Sequence, residues 1–298
     1  MSVYGREASA GPVTVPSLGA SKRDQRRLVM LTAYDYPTAQ IVDAAGADIA
    51  LVGDSAANVV LGLPSTTGIG MEEMTLLAAA VRRGLTRSLL VVDMPFLSYQ
   101  VSDQDAVRNA GRLVADAGAD VVKLEGAGTT ISRIRAIVDA GIPVMGHLGL
   151  TPQTATALGG NRAQGRTAGA ALALVDDAVA VARAGAIAVV LEAVPAVVAS
   201  AITETIPIAT IGIGAGVGCD GQVLVFHDLV GLTRGPLPRF VERYADVAGV
   251  ATQAVARFCA DVRAGTFPRD EHTYSMPPEE VSLFLSARDV DAADFLDG

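Results

Sequence analysis

Short apolar runs recur along the chain, and Ala-rich segments with helical spacing separate most of them. Eight such runs occur, in the order LVMLTAYD, IALVGDS, LLVVDMPF, VVKLEG, PVMGHLGL, AVVLEAVP, IPIATIGIGAG and GQVLVFHD. A nearly continuous apolar run of this length is typical of a strand that is buried on both faces. The pattern therefore predicts eight buried strands.

The segments between these runs predict helices. DAVRNAGRLVADAGAD and ALVDDAVAVARAGA have helical spacing, and each carries a Gly near its end, as helix C-termini prefer. Alternating strands and helices indicate parallel strands joined by right-handed crossovers. Eight units at a spacing of ~30 residues predict a closed (β/α)8 TIM barrel, with an open doubly wound sheet as the alternative.

Polar side chains stand near the ends of these predicted strands. In VVKLEG, Lys123 and Glu125 are two residues apart, so they share one face of a strand and both need partners if that face is enclosed. In a barrel the C-terminal strand ends converge on one mouth, where such enzymes keep their chemistry. The residues found there are Asp35, Asp54, Ser55, Asp93, Lys123, Glu125, His147, Glu192, Gly212 to Gly216, His227 and Asp228.

Each residue also has a structural interpretation. Asp54 could cap the next helix, and Lys123 with Glu125 could form an internal structural pair. His147 or His227 could be a hydrogen-bonded structural residue, and Glu192 could bind backbone N–H groups. Four acids at nearby strand ends nevertheless favour a functional cluster.

The donor types in this cluster indicate the kind of ligand. Carboxylates without Cys, and with isolated His residues, suit Mg2+ better than zinc. A 2-oxo acid could chelate such an ion through its carboxylate and keto oxygens. The run GIGAG departs from G-x-G-x-x-G because its sixth position is Val217. Close backbone approach explains this run better than a dinucleotide site.

Composition limits the other possibilities. The 298 residues carry a net charge of -9, which argues against nucleic-acid or anionic-membrane partners and favours small molecules. We find no uninterrupted apolar stretch of the ~18 residues that a membrane span needs. Two cysteines and an N-terminus without an apolar leader predict a cytoplasmic protein.

Nine ordered blocks carry a family resemblance. LTAYD, LVGDS, VVDMPF, VVKLEG, GHLGLTPQ, GGNRAQGR, LEAVP, IGIGAG and DGQVLVFHD resemble the ketopantoate hydroxymethyltransferase family, from about residue 13 to EHTY at 271–274. The resemblance implies a (β/α)8 barrel of the phosphoenolpyruvate/pyruvate superfamily type. It also implies transfer of the one-carbon unit of methylenetetrahydrofolate to α-ketoisovalerate, giving ketopantoate in pantothenate biosynthesis.

The resemblance also implies roles for individual residues. Asp54 and Asp93 would be Mg2+ ligands, with Glu125 completing the metal environment. Asp54, Ser55, Asp93 and Lys123 would contact the keto acid, with His147 beside it, and Glu192 would be the proton acceptor. The family forms ring-like assemblies, which implies a homo-oligomer such as a decamer.

Two regions depart from the family pattern. GLPSTTGIG has Leu63 and Pro64 where the family usually has an aromatic residue or His followed by Asp. We expect a flexible segment at 1–12, a barrel domain with a C-terminal helix at 13–274, and an acidic extension at 275–298 with a short helix at most. A folate-independent lyase or mutase of the same superfamily is the alternative function. A non-catalytic module would have lost acids from the cluster, and none is missing.

Overall fold

Eight parallel strands close into a barrel in sequential order in this computed structural model, which describes residues 11–296 and the side chains of 11–288. The strands are β1 (Leu28–Thr32), β2 (Ile49–Val52), β3 (Leu89–Asp93), β4 (Val121–Glu125), β5 (Val144–Gly149), β6 (Ala188–Glu192), β7 (Ala209–Ile213) and β8 (Gly221–Leu224). Each lies within one of the eight predicted runs. The barrel closes because β1 pairs with β2 on one side and with β8 on the other, where Leu28 is opposite Gly221. The barrel is thus confirmed over an open sheet.

Helices surround the strands in the order expected of βα units. They are α1 (Val15–Arg23), α2 (Tyr36–Ala44), α3 (Ala56–Val59), α4 (Met71–Gly84), α5 (Asp103–Ala117), α6 (Thr130–Asp139), α7 (Ala168–Arg183), α8 (Ala196–Thr205) and α9 (Phe226–Leu229). In α5 the Ser102 side chain accepts a hydrogen bond from Asp105 N, and Gly118 ends the helix at φ 72°. These are standard N-terminal and C-terminal helix signals.

The apolar side chains form two layers on either side of the barrel wall. One buried cluster includes Val121 and fills the barrel interior with other strand residues, whereas Val122 and Leu124 belong to the cluster between the strands and the helices. This alternation follows from the period of two along a strand. Lys123 and Glu125 therefore point inwards with Val121, as the spacing in VVKLEG predicted.

Asp43 fixes the loop that precedes β3. Its Oδ1 accepts hydrogen bonds from Arg87 N and Ser88 N, and its Oδ2 accepts from Thr86 N and Oγ1, at distances of 2.5 to 3.1 Å. Although partial burial raises the pKa of Asp43, the hydrogen bonds from Thr86 and Ser88 outweigh it and hold that pKa well below 3.8. The ionised carboxylate is therefore the form that stabilises this loop.

The contacts divide the described residues into two compact units, one up to Asp246 and one from Val247. The second contains α10 (Val247–Arg263) and α11 (Pro278–Leu296). The domain bounds 13–274 and 275–298 expected from the sequence stay predictions. Residues 1–10, which make up most of the segment expected to be flexible, lie outside the described residues.

The expectation of a short helix at most in the C-terminal extension is wrong, because α11 spans 19 residues. The proline pair suggested a break, but Pro278 occupies the first helical position, where its missing N–H costs nothing. Ala, Leu and Glu then favour continuation. Among the described residues, the helices lack the length or apolar content to cross a membrane.

Candidate active site

A cavity of about 780 Å³ opens at the C-terminal ends of the strands. It is lined by all seven residues that the sequence singled out for binding or catalysis, namely Asp54, Ser55, Asp93, Lys123, Glu125, His147 and Glu192. They lie at or near the C-terminal ends of the five consecutive strands β2 to β6. The barrel therefore brings these side chains together, while their individual roles stay predictions.

Neighbouring strands place opposite charges side by side. Asp93 of β3 is opposite Lys123 of β4, and Lys123 Nζ lies 2.9 Å from Asp93 Oδ1. Glu125 is opposite His147 of β5, and Glu125 Oε1 lies 3.3 Å from His147 Nδ1. Lys123 and Glu125 therefore have their ionic partners on the adjacent strands β3 and β5, so they do not pair with each other.

Asp54 follows β2 and is held by two neighbours. Its backbone N–H donates to Asp93 Oδ2 over 3.1 Å, and its Oδ2 accepts a hydrogen bond from Gln153 Nε2 over 2.9 Å. Ser55, rather than Asp54, occupies the N-cap position of α3, so Asp54 is not a helix cap. Burial and the negative charges of Asp93 and Glu125 outweigh the opposing effect of Lys123, and together they raise the pKa of Asp54 to about 8.

His147 lies between two carboxylates and an ammonium. Its Nδ1 is 3.2 Å from Lys123 Nζ, and its Nε2 is 3.2 Å from Glu192 Oε2. Burial and the positive charge of Lys123 lower the pKa of His147, but contacts with Glu125 and Glu192 outweigh them and raise it to about 9. The imidazole therefore favours the cationic form at neutral pH and joins Glu125 to Glu192.

The donor set suits a hard cation held by few protein ligands. Burial raises the pKa of Asp93 as well as that of Asp54, so two neighbouring carboxylates resist holding charge without a further cation. Within the described residues, no three Asp, Glu, His or Cys side chains are grouped as metal ligands. Mg2+ usually takes only one or two protein carboxylates and completes its shell with water and substrate. Asp54 and Asp93 therefore fit this ion.

Glu125 is placed differently from these two aspartates. Its Oε2 accepts a hydrogen bond from Gln153 N over 3.0 Å, while its Oε1 faces His147. Although burial raises the pKa of Glu125, these contacts and the charge of Lys123 lower it overall. A carboxylate with both oxygens engaged is better suited to orienting the site than to binding an ion directly.

Sequence reasoning missed Gln153, the residue that connects Asp54 to Glu125. It lies in a 3-10 turn after β5, and its Nε2 bonds Asp54 and the Met94 carbonyl. Its Oε1 accepts from Tyr99 Oη over 2.7 Å, and that hydroxyl accepts from Glu125 N. The only sequence signal was its place in GHLGLTPQ, directly after a strand end.

Two hydroxyl groups also border the site. Tyr34 Oη lies 2.8 Å from Ser55 Oγ. Thr66 Oγ1 is buried without a hydrogen-bond partner in the described part of the chain, and Thr66 lines the cavity. Pro64 and Ser65 line the same wall, so the loop that departs from the family pattern at Leu63 and Pro64 borders the cavity directly.

Other strand-end residues have structural positions. Asp35 caps α2 by accepting a hydrogen bond from Thr38 N over 2.7 Å. The His227 ring packs against Tyr34, with ring centroids 5.4 Å apart, whereas Asp228 lines the cavity. Gly214 has φ 63°, and a Cβ there would lie 2.6 Å from the Phe240 ring. Close approach therefore explains the glycine run, as predicted.

Several solved structures have a similar fold. The chain resembles 2,3-dimethylmalate lyase, a PEP mutase/isocitrate lyase superfamily member, with a TM-score of 0.56 and 15% identity over 95% of this chain and 98% of that one. A phosphonopyruvate hydrolase in complex with oxalate and Mg2+ has a TM-score of 0.55 and 14% identity, over 94% and 97% of the two chains. At this identity the likeness establishes the fold alone.

Sequence comparison is more specific. The family model of ketopantoate hydroxymethyltransferase matches residues 12–270. The 3-methyl-2-oxobutanoate hydroxymethyltransferase of Nitratidesulfovibrio vulgaris is 52% identical over 93% of this chain and 90% of its own length. That of Carboxydothermus hydrogenoformans is 52% identical over 90% and 97% of the two chains. This chain therefore belongs to the ketopantoate hydroxymethyltransferase family.

Proposed function

We propose that this enzyme transfers the one-carbon unit of methylenetetrahydrofolate to α-ketoisovalerate and forms ketopantoate, a step of pantothenate biosynthesis. The observation that carries the proposal is the convergence of Asp54, Asp93, Lys123 and Glu192 at one barrel mouth, in a chain whose relatives bear the name of this activity. The reaction needs a bound keto acid, a base for its C3 proton and a one-carbon donor. The cavity offers groups for the first two.

Lys123 is the cation that would meet the keto acid. It is buried, which lowers its pKa, but the charges of Asp93, Glu125 and Asp54 raise that pKa well above the usual value. The ammonium therefore stays protonated and can donate to a substrate oxygen. Ser55, whose hydroxyl contacts Tyr34, and His147 would border the rest of the substrate.

Asp54 and Asp93 would hold Mg2+, with Glu125 orienting the surrounding groups. When bound, this ion would polarise the keto group and stabilise negative charge as it develops on the keto oxygen. The protein's part is to hold the two carboxylates close together and out of water. Gln153 supports this arrangement because it fixes Asp54 Oδ2.

Glu192 would remove the C3 proton. It ends β6, across the mouth from the β2 and β3 ends that carry Asp54 and Asp93. Its side chain is 16% exposed, and its Oε2 lies 3.2 Å from His147 Nε2. This contact orients one carboxylate oxygen and leaves the other able to accept a proton.

Deprotonation prepares the carbon for bond formation. Opening of the folate ring breaks one C–N bond of the methylene carbon, and addition of water to the resulting iminium breaks the second, which releases tetrahydrofolate and leaves the one-carbon unit as formaldehyde. The C3 carbon of the enolate then attacks this aldehyde carbon, so a C–C bond forms and the aldehyde oxygen takes a proton to become the hydroxymethyl group. Lys123 stays in place to balance the charge of the keto oxygen during these steps.

Deuterium exchange at C3 of α-ketoisovalerate, followed by NMR in D2O without folate, tests the deprotonation step. We expect Mg2+-dependent exchange in the parent and a loss of about 10²-fold to 10⁴-fold in Glu192→Gln. The matched control is Glu204→Gln, an exposed residue of α8 outside the cavity. Parental exchange in folded Glu192→Gln would assign the base to another group.

The complete reaction needs a second measurement. Consumption of methylenetetrahydrofolate with α-ketoisovalerate separates a hydroxymethyltransferase from a folate-independent lyase or mutase. Exchange at C3 without folate consumption would favour the lyase or mutase reading.

A cytoplasmic homo-oligomer, such as a decameric ring, is part of the proposal. Within the second compact unit, α10 exposes Val250, Val255 and Phe258 by 53–69%, an apolar surface typical of an interface. Light scattering at micromolar concentration should give a mass several times the 30.5 kDa of one chain. A monomer would contradict this expectation.

A further inference from the structure

The cavity is larger than the keto acid requires, and its charge changes with position. A volume of about 780 Å³ suits a drug-sized ligand, whereas a five-carbon keto acid fills only a small part of it. The buried lining groups combine the acids Asp54, Asp93 and Glu125 with the bases Lys123 and His147. The exposed lining residues Arg162 and Arg239 are basic. Among the described residues, the cavity therefore pairs opposite charges in its depth and carries unpaired basic groups at its rim.

The two rim arginines come from separate loops. Arg162 lies between β5 and α7, in the segment GGNRAQGR, and Arg239 lies beyond α9, in GPLPRF. In the part of the chain that the structure describes, neither guanidinium has a carboxylate within 4 Å. They are available to an anionic ligand.

Arginines elsewhere in the barrel unit show how this chain can neutralise a guanidinium group. Six of them have acidic partners, namely Arg26, Arg82, Arg87, Arg108, Arg112 and Arg133. The chain also has 32 acidic residues against 23 Lys and Arg, so acidic partners are abundant. A net charge of -9 repels polyanions, and a polyanionic substrate would need local cations of this kind.

We propose that Arg162 and Arg239 form a carboxylate-binding subsite for the glutamate tail of the folate substrate. The inference rests on the proposed function. The methylene carbon must reach C3 of the keto acid near Glu192, deep in the cavity. The glutamate carboxylates lie at the far end of the folate from the pterin ring, so they extend towards the rim. Each guanidinium can bind a carboxylate through two parallel hydrogen bonds.

The double variant Arg162→Gln/Arg239→Gln tests the subsite. We expect its KM for methylenetetrahydrofolate to rise about 10-fold or more, since two charge-assisted contacts are lost. Its KM for methylenetetrahydropteroate, which has the pterin and aminobenzoyl groups but no glutamate, should stay at the parental value. The parent should prefer a triglutamate over the monoglutamate, and the double variant should lose that preference.

The matched control is Arg166→Gln. Arg166 is an exposed residue of the same loop as Arg162 and does not line the cavity, so its KM for each folate should be parental. An unchanged folate KM in the double variant overturns the inference. A KM that rises equally for the folate and the pteroate overturns it too, because the arginines would then act on another part of the substrate.

Failure of the proposed function has a different signature. The C3 exchange reaction needs no folate and reports on the depth of the cavity alone, so its absence in the parent counts against the proposed chemistry. Calorimetric binding of tetrahydrofolate and tetrahydropteroate to the parent and the double variant then still decides the subsite. Weaker binding of tetrahydrofolate alone supports the subsite, and equal binding by both proteins overturns it.

Discussion

Gln153 Nε2 donates a 2.9 Å hydrogen bond to Asp54 Oδ2, across 99 positions of the sequence. Gln153 Oε1 accepts a hydrogen bond from Tyr99 Oη, and the Gln153 backbone N–H donates one to Glu125 Oε2. One amide residue thus connects two of the predicted metal-site acids. Loss of its side chain should disturb Asp54, whereas the backbone N–H bond to Glu125 should remain.

We therefore expect Gln153→Met to weaken Mg2+ binding about 10-fold to 100-fold, as is typical when a partner of a metal ligand is lost. Calorimetric titration with Mg2+ measures the effect, and excess Mg2+ should partly restore C3 exchange. Gln100→Met is the control, because Gln100 contacts Gln153 Oε1 but not Asp54. Parental Mg2+ affinity in folded Gln153→Met would show that Asp54 needs no such support.

Asp93→Asn should abolish tight Mg2+ binding while the barrel stays folded. The amide keeps the size of the carboxylate but removes its charge, and it leaves Lys123 without its ion-pair partner. We expect at least a 100-fold loss of Mg2+ affinity by calorimetry, with circular dichroism checking the fold. Asp116→Asn on the exposed face of α5 is the control. Tight Mg2+ binding by Asp93→Asn would remove Asp93 from the ligand set.

Stability should depend on pH through Asp43. Its folded-state pKa lies below its ordinary value of 3.8, so the ionised carboxylate stabilises the fold above that pH. Asp43→Ala should lower the free energy of unfolding by about 1–2 kcal/mol at pH 7, a figure reduced for its partial exposure. The difference from the parent should shrink as pH falls below about 4, where the unfolded carboxyl gains a proton.

Urea denaturation at a series of pH values measures this effect. Asp139→Ala is the matched control, because Asp139 is an exposed Asp at the end of α6. A stability difference that stays constant from pH 7 to pH 3 would show that the carboxylate charge is not its cause.

Gly149→Ala should destabilise the barrel mouth. Gly149 has φ 92°, and a Cβ there would lie 2.3 Å from the Glu192 carbonyl oxygen and 2.6 Å from Val194 Cγ2. Strain and overlap together should cost about 3 kcal/mol or more. C3 exchange should also slow, since the obstructed carbonyl belongs to the proposed base.

The control for this substitution is Gly111→Ala. Gly111 lies inside α5, and a Cβ there would meet no atom within 4 Å. Helix propensity should then stabilise the protein by about 0.5–1 kcal/mol. Equal melting temperatures for Gly149→Ala and the parent would contradict the predicted overlap.

The strands were readable from sequence because both faces of a parallel barrel are buried, which leaves a continuous apolar run for each. Charged residues stood out against that background, so Lys123, Glu125 and Glu192 could be found. Gln153 could not, because its partners Asp54 and Tyr99 depend on loop geometry that no periodicity encodes. The length of α11 could not be predicted from a Pro pair, because Pro can end a helix or occupy its first position, as Pro278 does.

The alternation along β4 has a consequence for how this protein tolerates change. Val121, Lys123 and Glu125 point into the barrel, whereas Val122 and Leu124 face the helices. Saturation mutagenesis of β4, with protein abundance and turnover measured for each variant, should therefore give different results at adjacent positions. Val122 and Leu124 should lose abundance, and Lys123 and Glu125 should lose turnover while much of the protein remains. Along this five-residue strand, selection for folding and selection for activity therefore act on alternate residues.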